Sequence, residues 1–319
     1  MKLHEDSATF REVIQATAGD LNIRDVYVEK DYWITFLLWR LSNLKNSKKF
    51  VFKGGTSLSK AYHLIERFSE DVDLAITEIE DLNGNQIKKL IDQASKALTT
   101  QPLQDDKENP KTSKGSRFRR TVHQYPRLGF DSKFSGASSN LLLEINSFAN
   151  PEPAELCTVQ SYTGQFLGKK FPQDVSKYSL EPFKIKVLAL ERTYVEKLLS
   201  LIRHSHQGAD ALREKIRHLY DIAKLDSTAP IRQVQTNPLR ATEIIEKVKE
   251  CDRTTEDFAG PWLEMKFSDA PLFHDPRLKH EMKKAYMAVE FQSLIWDKTR
   301  APTFDESWAA LLRAQTIFK

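Results

Sequence analysis

The stretch from Phe52 to Leu74, FKGGTSLSKAYHLIERFSEDVDL, holds the residue types of a site for a phosphorylated ligand and a metal ion. Gly54 and Gly55 let the backbone approach a phosphate closely, the hydroxyls of Thr56 and Ser57 can donate to it, and the N-terminus of a following helix favours negative charge. Downstream, Val72, Leu74 and Ile76 alternate with Asp71, Asp73 and Ala75. That is the period of a strand with one core face and one wet face, so both aspartates point the same way, about 6.6 Å apart along the strand. They are close enough to share a pair of divalent ions, Mg²⁺ or Mn²⁺. A glycine pair alone is weak, and an Asp-x-Asp alone is usually a solvated edge. The order strand, glycine turn, helix, acidic strand makes a triphosphate and metal site the better reading. No Gly-Lys-Ser/Thr closes the turn, which excludes a Walker A loop.

The elements that must carry these residues follow from periodicity. Ser7 to Ala18 and Val28 to Leu41 read as helices, the second with Tyr32, Trp33, Phe36, Leu37 and Leu41 on its apolar side. Phe50 to Lys53 is a short buried strand, and Leu58 to Phe68 has helical spacing. Asn83 and Gly84 mark a turn before a helix over Gln86 to Leu98. Thr121 to Phe130 and Leu141 to Ser147 form a hairpin across the linker Ser132 to Asn140, and Thr158 to Phe166 and Phe183 to Leu188 add strands. Direct strand-to-strand succession predicts a mixed or antiparallel sheet. Beyond Leu188 the pattern is helical over Thr193 to Ser205, Ala209 to Leu225, Ile231 to Cys251, Leu278 to Ile295 and Phe304 to Ile317. The expected class is α+β, with a sheet domain and N-terminal helical cap over 1–185 and a mainly helical domain over 186–319 that completes the cleft.

Composition narrows the setting. A chain of 319 residues, 40% hydrophobic and 29% charged, can bury a sizeable core. Its longest apolar run, Trp33 to Trp39, is broken by Thr35 and is far below the roughly 18 residues of a membrane span. His4, Glu5 and Asp6 stand where a secretory signal needs apolar residues, which argues against export and for the cytoplasm. Cys157 and Cys251 are too few for a disulfide framework or a zinc ribbon, and the i, i+2 spacing of His204 and His206 does not suit a helical zinc site. The net charge of +4 is mild. It is concentrated between Lys107 and Arg127, where Arg117, Arg119 and Arg120 are candidates to hold RNA and Phe118, His123 and Tyr125 could stack on bases. A solvated loop and strand edge is the equally weighted reading.

Five blocks, VEKDYW (Val28 to Trp33), FKGGTSLSK (Phe52 to Lys60), RFSEDVDL (Arg67 to Leu74), YVEKLLSL (Tyr194 to Leu201) and RHLYDI (Arg217 to Ile222), together resemble the AbiEii/AbiGii toxin family. These are nucleotidyltransferases of the DNA polymerase beta-like superfamily, the toxin halves of prokaryotic toxin–antitoxin and phage-exclusion systems. The resemblance implies metal binding by Asp71 and Asp73 and phosphate binding by Gly55, Thr56 and Ser57. It also implies support of the phosphates by Lys197 and a contribution from Asp221. The superfamily's third carboxylate falls on a neighbouring strand, where Glu144 is the candidate because Leu142, Glu144 and Asn146 share one face. Lys60, Arg67, Ser69 and Arg217 are candidate partners for the nucleotide, with salt bridges explaining the basic three equally well. The implied reaction is attack by an acceptor hydroxyl on the α-phosphate of a nucleoside triphosphate, with tRNA 3′ ends the natural acceptor and a cognate antitoxin the expected partner. Transfer to a protein hydroxyl is the alternative enzyme, and a nucleotide-binding regulator without turnover the alternative class.

Overall fold

The computed structural model describes residues 1–130, 140–148, 150–253 and 258–318. The chain divides into two compact units, residues 1–63 with 68–187, and residues 64–67 with 188–319.

In the first unit, α1 (Ser7–Leu21) and α2 (Asp25–Ser42) precede β1 (Phe50–Lys53), α3 (Gly54–Lys60), β2 (Asp71–Ile76) and α4 (Gly84–Leu98). Short strands β3 (Gln104–Asp105) and β4 (Ser113–Lys114) lead to β5 (Phe118–Gln124), β6 (Leu141–Asn146) and β7 (Ala154–Val159). Then come α5 (Tyr162–Lys170), α6 (Pro172–Lys177) and β8 (Phe183–Leu188). The sheet is mixed, in the order β3-β5-β6-β2-β1-β8-β7, with β4 paired to β5. β1 runs antiparallel to β2 and parallel to β8, while β2 and β6 are parallel. One face carries Phe52, Val72, Leu74, Leu141, Leu143 and Ile145 into a core shared with Trp33, Phe36 and Leu37 of α2 and Ile87 and Ile91 of α4. Alternation therefore leaves Lys53, Asp71, Asp73, Glu144 and Arg120 on the opposite face.

α2 is buried nearly all round, including three successive charges, Glu29, Lys30 and Asp31. A charge taken from water needs a partner, and each of these reaches a different element. Glu29 accepts from the Leu128 amide at 2.6 Å, Lys30 lies 3.2 Å from Glu70, and Asp31 accepts from Lys60 Nζ at 2.6 Å and from the Tyr162 amide at 2.8 Å. The VEKDYW block thus ties the helix to the loop after β5, to the residue before Asp71 and to α3.

The second unit is helical. Its elements are α7 (Leu190–His206), α8 (Ala209–Arg213), α9 (Ile216–Asp226), α10 (Ala229–Thr236), α11 (Pro238–Arg253), α12 (Pro271–His274), α13 (Pro276–Met287), α14 (Val289–Gln292) and α15 (Phe304–Ala314). α9 packs against both α7 and α15, and Leu198, Leu219, Ile222 and Leu311 of these helices are buried. Among the described residues no helix is long and apolar enough to cross a membrane. Both cysteines are free thiols.

Several elements differ from their expected bounds. The helix expected over Leu58 to Phe68 stops at Lys60 because the chain leaves for the other unit, with His63 in the left-handed region at φ 54°. The strand expected over Thr158 to Phe166 ends at Val159, since Ser161 caps α5 by accepting from the Gly164 amide at 3.0 Å. The long helix over Ile231 to Cys251 is split at Asn237, which Pro238 holds extended. Ala209 to Leu225 breaks at Glu214 and Lys215, and Leu278 to Ile295 breaks at the extended Ala288. Most of the linker expected over Ser132 to Asn140 lies outside the described residues.

Removing Asp31 leaves the Lys60 ammonium buried and uncompensated, so Asp31→Ala should cost about 3–5 kcal/mol, and Asp31→Leu with Lys60→Met should recover most of it. Urea unfolding followed by circular dichroism measures both.

Candidate active site

In the first unit the glycine turn and the acidic strand are built against each other. β1 delivers Lys53, paired in register with Asp73 of β2, and the chain turns at Gly54 with φ +79°. A side chain there would be strained, and its Cβ would run into the Asp73 carboxylate, whose Cγ stands 3.1 Å from the Cβ position. Both the backbone angle and the close carboxylate therefore require glycine. Ser57 Oγ donates to the Gly54 carbonyl at 2.8 Å, so its one proton braces the turn. Thr56 Oγ1 donates to Ser69 Oγ at 3.0 Å, which links the turn to the loop that leads into Asp71.

Register extends this arrangement across four strands. Lys53, Asp73, Glu144 and Arg120 occupy one row over β1, β2, β6 and β5, alternating as cation, two carboxylates and cation. The outer pair on one side is closed, with Arg120 Nη2 and Nε donating to Glu144 Oε2 at 2.8 and 3.1 Å. Glu144 is thus a neighbour of Asp73 in the sheet, but its carboxylate is held by an arginine. Among the described residues no group of three His, Cys, Asp or Glu side chains stands close enough to hold one ion. Lys30, which residue-type reasoning passed over, is a cation placed near this acidic strand. Burial pulls its ammonium below the ordinary lysine value, and the charges of Glu70 and Asp71 oppose that pull. Three successive charges next to the apolar run of α2 were the available signal.

The second unit gathers another set. Arg67 Nε and Nη2 grip Asp221 Oδ1 and Oδ2 at 2.7 and 2.6 Å, and Lys197 Nζ of α7 approaches Asp221 Oδ2 at 2.8 Å. Asp221 is fully buried and Arg67 is 2% exposed. Burial alone would raise the Asp221 carboxyl, but the two cations outweigh it and hold the group at about 2. Arg217 lies one turn earlier on α9 and is half-buried. His218, also missed, lies near Lys197 and Arg67. Burial, then Lys197, keeps it well below the usual imidazole value, and its Nδ1 makes no hydrogen bond. Glu66, 1% exposed, is held by Lys224 at 2.7 Å, Arg300 at 2.9 Å and the Tyr220 hydroxyl at 3.2 Å. Arg67, a candidate for the nucleotide or equally for a salt bridge, is bound within this unit to Asp221, just as Lys60 is bound within the other to Asp31.

Of the candidate RNA-binding arginines, Arg119 and Arg120 are separated by the pleat of β5, and Arg117 precedes the strand. Arg119 turns to α4 and meets Asp92 at 2.7 Å, Arg120 turns to the opposite face and Glu144, and exposed Arg117 donates to the Ser147 carbonyl at 2.9 Å. Among the expected stacking residues, His123 and Tyr125 are buried, 2% and 5% exposed. Arg119 and Arg120 leave β5 on opposite faces.

The chain belongs to the family of nucleotidyl transferase AbiEii toxins of type IV toxin–antitoxin systems, whose model matches residues 37–314. It is accordingly a nucleotidyltransferase toxin, with a nucleoside triphosphate substrate and an antitoxin as counterpart. Among solved structures it is similar to MenT4, a nucleotidyltransferase toxin from Mycobacterium tuberculosis H37Rv, with 16% identity and a TM-score of 0.41 over 89% of this chain and 94% of that one. A search of curated proteins finds no match.

The depressed Asp221 carboxyl contributes stability that is present above its unfolded value of about 3.8 and is lost as pH falls towards 2. The difference corresponds to about 2 kcal/mol. Urea unfolding should therefore show the loss between about pH 4 and 2, and Asp221→Asn should remove that part of the profile.

Proposed function

We propose that the chain transfers a nucleoside monophosphate from a nucleoside triphosphate to an RNA hydroxyl, with the 3′ end of tRNA as acceptor, in a reaction dependent on Mg²⁺ or Mn²⁺. The single observation that carries the metal reading is the close fit of the Gly54 turn around Asp73, on the strand that also presents Asp71 to the same face. Mg²⁺ is ordinarily held by one or two carboxylates together with waters and substrate phosphates, so a two-aspartate set suits it. Glu144 enters as a third carboxylate only when its pair with Arg120 opens. Bound there, the metal would supply Lewis-acid stabilisation and a more acidic attacking hydroxyl.

The remaining work falls to the protein's own groups. The amides around Gly54 and Gly55 and the hydroxyl of Ser69 are assigned to phosphate oxygens, while Ser57 keeps the turn in shape and Thr56, whose one proton goes to Ser69 Oγ, orients that hydroxyl. Lys197 is assigned to a phosphate oxygen as charge develops, and Asp221 positions it. Arg67 acts on Lys197 through the same carboxylate. The acceptor oxygen forms a bond to the α-phosphorus, the bond to the β-phosphate oxygen breaks, the hydroxyl proton departs to solvent and pyrophosphate leaves. Positioning and electrostatics supply the acceleration.

Asp71→Ala and Asp73→Ala should each lower transfer by more than about a hundredfold, since outer-shell changes alone cost 10–100-fold at metal sites. Both should stay folded, because like charges held close together destabilise the native state. The assay is labelled nucleotide from each of the four triphosphates presented to total tRNA and, separately, to a protein fraction, with circular dichroism of each variant. Full transfer by either folded variant overturns the metal reading. Label on protein alone overturns the RNA acceptor.

Calorimetry supplies a further check. Triphosphate binding should require Mg²⁺ or Mn²⁺ and vanish with excess chelator, and in their presence the triphosphate should raise the melting temperature by mass action.

A further inference from the structure

The sheet face that carries the acidic row continues, along β5 and β6, into a second row. Asn146 stands two residues beyond Glu144 on β6 and is paired in register with Phe118 of β5, two residues from Arg120. All of these therefore project to the side of Asp73. Phe118 is the expected stacking residue that the core does not claim. It is half-buried, and Phe148, also half-buried, stacks on it with ring centres 5.8 Å apart and planes 14° from parallel. The guanidinium of Arg120, while donating to Glu144 at 2.8 Å, stands 5.3 Å from the centre of the Phe118 ring. One arginine thus joins the carboxylate row to a pair of aromatic rings. Asn146 is only 9% exposed, and among the described residues its carboxamide makes no hydrogen bond. A polar group taken that far from water ordinarily has a partner.

We infer that this second row is the nucleobase subsite of the donor triphosphate, with the base lying against the Phe118–Phe148 pair and its edge read by the Asn146 carboxamide; this rests on the triphosphate and metal reading given above. Spacing supports it. Two strand-to-strand steps of about 4.8 Å separate β5 from β2, and one two-residue step along the strands adds about 6.6 Å, so Phe118 lies roughly 12 Å from Asp73. A metal on Asp73, one phosphate and a ribose span that gap, which puts the base of the held nucleotide at the second row. The charges favour a single base over a polynucleotide. Arg120 is neutralised by Glu144 and Arg119 by Asp92, so the row offers stacking and hydrogen bonding rather than charge for an RNA backbone. The two contacts divide the work. An aromatic ring stacks on any base and supplies affinity. A carboxamide presents an acceptor beside two donors, can bond two atoms of a base edge at once, and supplies selectivity.

The test is titration calorimetry of the full chain with Mg²⁺ and each of the four nucleoside triphosphates, and with inorganic tripolyphosphate as a probe that has no base. The parent should bind one triphosphate best and tripolyphosphate more weakly. Phe118→Ala should weaken the preferred triphosphate about tenfold or more and leave tripolyphosphate unchanged. Asn146→Leu, which keeps the shape of the side chain and removes its polar atoms, should shrink the preference among the four about fivefold or more, again without moving tripolyphosphate. Unchanged triphosphate binding in both variants overturns the subsite, even if tRNA binding, followed by fluorescence anisotropy, is weakened. So does an equal loss for tripolyphosphate, which marks a structural effect. If Phe118→Ala fails to fold, Asn146→Leu decides. A parent that binds triphosphates and tripolyphosphate alike overturns the base subsite alone, whereas a parent that binds neither with Mg²⁺ overturns the site on Asp71 and Asp73 on which it rests.

Discussion

A carboxylate stripped of water has to find a cation, and Asp221 finds two. Its pairing with Arg67 and Lys197 fixes a helix, a neighbouring helix and a four-residue strip of chain with one buried charge. The strip alternates like a strand: Arg67 turns to Asp221, while Glu66 turns the other way to Lys224, Arg300 and Tyr220. A backbone bridge from Arg67 to Ile295 and a bond from the Trp296 amide to the Glu66 carbonyl complete the anchorage. The chain thus leaves the first unit at His63, is pinned in the second, and re-enters the first at Phe68, three residues before Asp71.

The same constraint organises the first unit. Asp31 with Lys60 and Lys30 with Glu70 are buried pairs whose value lies in where they fasten α2, since such pairs seldom add net stability over apolar packing. They fasten it to the helix after the glycine turn and to the residue before the acidic strand. A rigid support of this kind lets two carboxylates be presented side by side from β2, an arrangement that costs stability through repulsion and suits ion binding.

Charge that is neutralised within the fold is charge withdrawn from ligands. The basic run over residues 107–127 looked like a nucleic-acid surface, yet Arg119 and Arg120 are spent on opposite sides of one strand.

The sequence by itself determined the local chemistry. The Gly-Gly turn, the shared face of Asp71 and Asp73, the strand from Phe183 to Leu188 and the helical second half were legible because each depends on short-range periodicity or on a backbone angle that only glycine adopts readily. The five blocks marked the family. Tertiary structure decided what each cation faces. Lys60 and Arg67, for which phosphate and a salt bridge were equal readings, are fastened to buried aspartates, Glu144 sits beside Asp73 yet is gripped by Arg120, and Ser57 braces its own turn. The physical reason is that the partner of a charge is set by long-range contacts, 29 residues away for Lys60 and 154 for Arg67, on which no local pattern bears.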